Sequence, residues 1–460
     1  MKYGKDFPKS VRKTALFEAE ERYQKLLSER LNRPCVPIKR SNFGQYDMAV
    51  NYVTSVLEEA KSIENVSIFN IDHMAQIEFS GKDAETLLHR VLPANIEKMK
   101  IGSCKYTLLL NEKGGVEDDM IVMRMSSDKF IAVINAGHDI TGKGEDHGIE
   151  KEFISDADTI MKYKKDDEDV TVKDLSDELV KIDIQGRYSY KLVTELYGKS
   201  VVKNRYKPEK NMSYFTFNEF EYEGEEYIIS RTGYTSRWGW ELYVPAKVAV
   251  EQFNRITEKA LELDGLLVGL GGRDENRISA GNFGLPLNGQ EYDPNHTPIN
   301  SPLFGAAVDM EKDFVGKEAI LKELERGTNK KMVAVISEGI VVGCGIYLDG
   351  KRLGTVTSSI NSPNVSLEKR EFIGSKRKSV QGENGTAAIG LAWLCDNPFE
   401  VDEDGKDILS FDGKAVRIKV EFYREDKDGK PKGRAVLGYI SGDGITPATA
   451  PKPLKKIQNL

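Results

Sequence analysis

Three stretches carry side chains whose type and spacing could do chemistry. In NEKGGVEDDM, a Gly114-Gly115 turn releases a strand that starts with Glu117, Asp118 and Asp119. Strand alternation puts Asp118 on one face with Met120 and Val122, and Glu117 with Asp119 on the other. An acid aligned with an apolar face loses its water, and acidic neighbours oppose its ionisation further, so its pKa rises. Such a group suits proton handling or the holding of a protonated nitrogen; the competing reading is an acidic hairpin end in water. In SRTGYTSRWGWELYVP (230–245), Trp240, Leu242 and Val244 point one way, Glu241 and Tyr243 the other. Glu241 then either sits on a solvated strand face or recognises something flat and nitrogen-rich. In GLGGRDENRISAG (269–281), Arg273 falls near a helix start, where the helix dipole gives a cation no support. It either grips a carboxylate in a two-pronged geometry or pairs with Asp274 or Glu275.

Other features point away from function. The glycines at 269–272 lack the GxGxxG spacing and the lysine of a phosphate loop. His138, Asp139, Asp146 and His147 read as a polar, glycine-bearing loop, so no metal site is expected. His73 reads as a packed strand-end histidine. The four cysteines form no CxxC pair, which suits reduced thiols in a cytoplasmic protein. A net charge of −7 argues against a general nucleic-acid binder, and no apolar run approaches the ~20 residues of a membrane span, so neither nucleic acid nor membrane is an expected partner.

At 460 residues the chain exceeds one core, and 39% hydrophobic with 30% charged residues is the balance of a globular protein. The first 40 residues suggest an amphipathic helix through Leu16, Leu26, Leu27 and Leu31. VSIFNIDHMAQIEFSG carries strand-like stretches, KDAETLLHRVL a helix, and CKYTLLLNEKGGVEDDMIVMRM a strand, a glycine turn and a strand. From about 178 the pattern returns: ELVKIDIQG as strand, RYSYKLVTELYG as helix, a strand series to 245, then a helix. Two such passes suggest duplicated α+β halves. From about 331, short strands and turns take over, with Asp349-Gly350 at a hairpin tip, which suits a small antiparallel barrel.

These stretches, in this order, resemble the glycine-cleavage T-protein superfamily of folate-dependent aminomethyltransferases and related demethylases. FNIDHM and LNEKGGVEDDMIV carry the resemblance first, followed by VINAG, IDIQG, SRTGYTSRWGWELYVP, GLGGRDENRISAG, LNGQEYD, SPLFGAAVDMEKDFVGKEAI and RLGTVTSS. It spans roughly 41 to 440. It implies an α+β, three-lobed chain: a helical extension over 1–40, a folate-binding core of two α+β lobes over 41–327, a C-terminal antiparallel β-barrel over 328–445, and a flexible tail over 446–460. It further implies tetrahydrofolate at the centre, with Asp118 beside its reactive nitrogens and Glu241 on the pterin ring. A carboxylate accepts from the side-by-side N–H and amino group of a pterin edge. Arg273 would meet the glutamate tail, Tyr106 and Asn135 would line the pocket, and Tyr234 and Tyr243 would neighbour the ring.

The departures bear on the donor. Arg237 and Trp238 stand where the T-protein has an acidic pair, and the leader, the PNHTPIN insertion and the charged 362–386 loop are additional. The expectation is a demethylase that moves a methyl group from a small methoxy, methylthio or methylamine compound to N5 of tetrahydrofolate. The alternatives are a T-protein aminomethyltransferase, which takes its group from a lipoylated carrier protein, and a non-catalytic folate-binding protein.

Overall fold

The computed structural model describes residues 2–441 except 35, 54, 147–148, 281–283, 302, 328–329, 363–386, 401–402, 404–409 and 412–413. The 362–386 loop beyond Ser362, the 446–460 tail and His147 therefore lie outside the described residues. Two sheets build the α+β part. The first is fully antiparallel, in the order Thr171–Asp174, Ala75–Ser80, Lys129–Ile134, Val116–Arg124, Cys104–Leu110. Its strands alternate because each has one dry face: Ile77, Phe79, Met120, Val122, Phe130 and Ala132 meet Leu87, Leu88 and Val91 of the helix Ala84–Val91, and Ala157 and Ile160 of the helix Asp156–Met161.

The second sheet runs Phe217–Tyr222, Glu225–Ser230, Gly239–Pro245, Leu179–Gln185, Ser67–Asn70, Leu266–Leu267, with only the last pair parallel. Trp240, Leu242 and Val244 join Val180, Ile182 and Ile184 in a core closed by Ala249, Phe253 and Ile256 of the helix Ala246–Glu262. The two passes of the chain do not map one to each sheet. Residues 66–81 contribute one strand to each sheet, so the second sheet takes a central strand from the first pass of the chain. Alternation identifies a strand but does not say which sheet receives it.

The leader is likewise more than an appendage. Its helix Phe17–Leu31 buries Leu16, Ala19, Tyr23 and Leu27 in the second-sheet core. Ahead of the helix, Lys5–Asp6 pair with Ile140–Thr141, and Arg12 grips Asp139 with two bonds of 2.6 and 2.8 Å.

C-terminal to the sheets, six antiparallel strands close into a barrel around Val333, Val335, Ile346, Val356, Ala392 and Phe422. Asp349 and Gly350, with φ of +50° and +80°, form its expected two-residue hairpin tip. The PNHTPIN segment joins this barrel to the first sheet. A Cβ on Gly115 would fall 1.8 Å from the Pro294 carbonyl oxygen, the amide of Val116 donates to Asp293 and His296, and the His296 ring stacks on Trp393 at 5.4 Å. The Gly114-Gly115 turn is thus required by a close backbone approach as well as by its own geometry. Among the described residues, no helix is long and apolar enough to cross a membrane.

Candidate functional site

The two sheets face each other through Cys104, Met123, Ile131 and Val133 on one side and Phe217 and Tyr243 on the other. Polar side chains continue this contact in two clusters. The first grows from the Val116–Arg124 strand. Asp118 is 0% exposed, which rules out the solvated hairpin end. Its Oδ1 accepts from Asn135 Nδ2 (2.8 Å) and Asn288 Nδ2 (2.9 Å), and its Oδ2 accepts from the Asn135 amide (3.2 Å). Burial raises its pKa, as its alignment with Met120 and Val122 predicts; Asp156 adds to the rise and His138 opposes it. Asp119, on the opposite strand face, accepts from the Tyr106 hydroxyl and, at 3.0 Å, from Asn135 Nδ2. Burial and then the Asp118 charge raise Asp119 as well. Asn135 therefore ties two acids that alternation had separated.

His138 lies at the edge of this cluster. Its Nδ1 is 3.1 Å from Asp156 Oδ1 and 3.7 Å from Asp118 Oδ2. Burial works against its charge, yet Asp118 and Asp156 together push its pKa up to about 10. The sequence grouped His138 with Asp139, Asp146 and His147. In the fold its partners are Asp118 and Asp156, while Asp139 turns to Arg12, and residues 140–146 and 149–153 form a hairpin rather than a loop. The three side chains offer ligand atoms within 4.8 Å of one another.

The second cluster lies on the cleft face of the second sheet. Glu241 is 4% exposed, so the solvated-face reading fails here too. Strand register sets it opposite Asp183 and beside Ser230. Its Oε2 accepts from Thr232 Oγ1 (2.6 Å) and lies 3.3 Å from the Nζ of Lys181, which also sits 5.4 Å from the Tyr243 ring centre. Burial and then the Glu241 charge push Asp183 up to about 7. Arg273 does not pair with Asp274 or Glu275 as one reading held. Arg277 takes Asp274 (2.7 Å), and Glu275 is held by Asn276 and Ser362. Arg273 instead points Nη1 at His73 Nε2 (3.4 Å) and lies 5.7 Å from the Tyr234 ring. His73 is buried as expected, and burial followed by the Arg273 charge lowers its pKa well below the usual imidazole value. Tyr234 donates to the Pro286 carbonyl and lies within the electrostatic reach of both Asp119 and Arg273, which joins the two clusters into one site.

The seven residues singled out by sequence thus converge, Asp118, Asn135 and Tyr106 in the first cluster, Glu241, Tyr243 and Arg273 in the second, and Tyr234 between. Four neighbours were missed, Lys181, Asp183, Asp156 and Asn288, while the sequence reads two more, His73 and His138, as a packed histidine and a loop residue. For Lys181 and Asp183 a signal existed, since LVKIDIQ alternates Val180, Ile182, Ile184 with Lys181, Asp183, Gln185. Enclosed polar atoms without a partner gather in the second cluster: Asp183 Oδ2, His73 Nδ1 and Arg273 Nε. An orphaned buried polar group costs about 1–3 kcal/mol, so such a grouping fits a polar ligand.

Both the sequence and the fold have known relatives. Residues 39–312 match the family model described as the GCVT N-terminal domain. The chain is 31% identical over 399 residues to an aminomethyltransferase of Thermosipho melanesiensis, covering 86% of this chain and 96% of that one. It is 29% identical over 396 residues to an aminomethyltransferase of Anoxybacillus flavithermus, covering 85% and 96%. Its fold matches the crystal structure of the glycine cleavage system aminomethyltransferase T from Bartonella henselae with a TM-score of 0.65 at 23% identity, over 94% of this chain and 97% of that one.

Proposed function

The chain belongs to the family of the GCVT N-terminal domain, and from that membership we propose that it is a tetrahydrofolate-dependent aminomethyltransferase whose donor is a lipoylated carrier protein. The observation that carries the folate assignment is the cross-strand pair Asp183–Glu241 with the unpartnered Asp183 Oδ2, His73 Nδ1 and Arg273 Nε beside it. Glu241 and Asp183 are acceptors side by side, as an N–H and an amino group on one ring edge require. Arg273 suits a carboxylate tail. When bound, tetrahydrofolate supplies the nitrogen that receives the one-carbon unit. The chain's own residues hold it: Glu241 accepts from the ring, Tyr243 and Tyr234 flank it, and Arg273 anchors the far end. Asp118 orients the acceptor through Asn135 and handles the proton at its buried carboxylate.

The demethylase expectation rested on Arg237 and Trp238 together with the leader, the PNHTPIN insertion and the 362–386 loop. Trp238 packs against the helix-side core of the second sheet, with the Arg231 guanidinium 3.7 Å from its ring, so its substitution is accounted for away from Glu241. A paired turnover assay separates the readings. Tetrahydrofolate is supplied either with a carrier protein bearing a lipoyl-linked aminomethyl group or with a panel of methoxy, methylthio and methylamine donors, and the folate product is weighed. Methylene-folate and ammonia from the carrier alone is the expected result. Methyl-folate from a small donor would replace it with the demethylase reading, and folate binding without either product would leave a non-catalytic binder.

A further inference from the structure

His138 has no part in the resemblance that located Asp118, yet the fold builds a seat for it. Its amide donates to the Asn135 carbonyl (3.3 Å), and its carbonyl accepts from the Asp156 amide (2.9 Å), so the backbone on both sides is fixed. Its ring contacts Asp156 Oδ1 at 3.1 Å, with Asp118 Oδ2 at 3.7 Å, and Asn288 Nδ2 lies 3.4 Å from its other nitrogen and 2.9 Å from Asp118 Oδ1. The charged groups facing it are Asp118 and Asp119 from the Val116–Arg124 strand and Asp156 from the Asp156–Met161 helix; the 284–300 segment presents only the uncharged Asn288. The neighbouring Asp139 is neutralised by Arg12, and Asp158 is taken up by the amides of Tyr3 and Gly4 and by the Thr141 and Ser155 hydroxyls. Asp156 Oδ2 has no partner of its own.

We propose that His138 is a positioning residue for Asp118: as an imidazolium clamped between Asp156 and Asp118, it keeps the buried Asp118 carboxylate charged and aimed at Asn135. The inference rests on the transferase reading for its consequence in turnover, but the charge state of His138 can be read without any reaction. Removing the cation leaves Asp118 facing a second carboxylate in a dry site, so Asp118 must then take up a proton at higher pH.

The first arm of the test is a pH titration of the 13Cε1 histidine signals of the whole protein, which has five histidines, with the His138 signal identified by its absence in His138→Gln. In the wild type the signal should stay in the imidazolium position to beyond pH 8, and in Asp156→Asn its midpoint should fall toward the ordinary value of about 6.5. An ordinary midpoint in the wild type, or no change in Asp156→Asn, overturns the proposal. The second arm is the pH profile of kcat with whichever donor is turned over. His138→Gln and Asp156→Asn should each move the acid limb: His138→Gln upward by about one pH unit, a 10-fold change in proton affinity, with tetrahydrofolate affinity held within about 2-fold. Asp156→Asn, which removes the like charge and frees the imidazolium for Asp118, should move it the other way. A loss spread evenly over all pH values, or limbs that stay in place, overturns the proposal. If no donor is turned over, the transferase reading fails while the first arm still decides the charge of His138.

Discussion

The two carboxylate clusters are built alike and finished differently. Each sets a buried acid pair on a strand, Asp118 with Asp119 on one sheet and Asp183 with Glu241 across two strands of the other. In the first, both Asp118 oxygens are occupied by Asn135 and Asn288, one enclosed oxygen (Asp156 Oδ2) lacks a partner, and the facing base is an imidazole side chain that is still 30% exposed. In the second, the cations are Lys181, only 1% exposed, and Arg273, and three enclosed polar atoms are left without partners. A closed network fixes a side chain in one state, whereas an open one receives a ligand whose groups complete it. Under the proposed function, the difference suits the first cluster to orientation and proton state and the second to recognition.

The largest effect should come from taking a cation out of the open cluster. Lys181→Met leaves Glu241 buried without its ion-pair partner, and it should cost about 3–5 kcal/mol of stability in denaturant unfolding. A cost under about 1 kcal/mol would mean that the two clusters are not differently finished. Next, Asp118→Asn should lower kcat by about 10²–10³-fold with little change in folate affinity. Equal losses in both would move Asp118 into the recognition group. Glu241→Ala should do the reverse and weaken tetrahydrofolate by about 2–3 kcal/mol in calorimetry, as loss of a charged hydrogen-bond partner does. Unchanged affinity would remove Glu241 from the ring. The smallest effect is a slope. Asp183 is held up to about 7, above the ordinary value near about 4, so the folded chain binds the extra proton between those limits. Its contribution to stability is therefore present below about pH 4 and lost as the pH rises through about 7. Asp183→Asn should flatten the decline of unfolding free energy over that window by up to about 1.4 kcal/mol per pH unit, and an unchanged slope would show that Asp183 stays ionised in the fold.

Much of this was legible because local rules were obeyed. Alternation in ELYVP and in VEDDMIV put Glu241 and Asp118 on the correct faces, and the Asp349-Gly350 tip and the run of short strands announced the barrel. The rest depended on distance along the chain. Asp156 reaches His138 only because its helix packs behind the first sheet, and Asn288 comes from 170 residues beyond Asp118. No spacing rule links such positions. The same limit applies to PNHTPIN, which composition marks as a loop and the fold uses as the brace between the glycine turn and Trp393.

The strand Ser67–Asn70 carries a consequence for the order in which the molecule forms during synthesis. The first sheet uses only residues 75–174, so it can assemble as soon as that stretch has left the ribosome. The second cannot. Its central Ser67–Asn70 strand and the helix Phe17–Leu31 are made first, yet their partners are Leu179–Gln185, Leu266–Leu267 and the helix Ala246–Glu262. At about 5–20 residues per second, the N-terminal segment waits roughly 10–40 s for them, with Ile68 and Phe69 uncovered. Pairing over such separations is also the slow step in folding, because the loop must close before any contact rewards it. The Asp183–Glu241 cluster, on the late sheet, is therefore the last part of the site to exist, and a nascent chain acquires the Asp118–Asp119 pair before it.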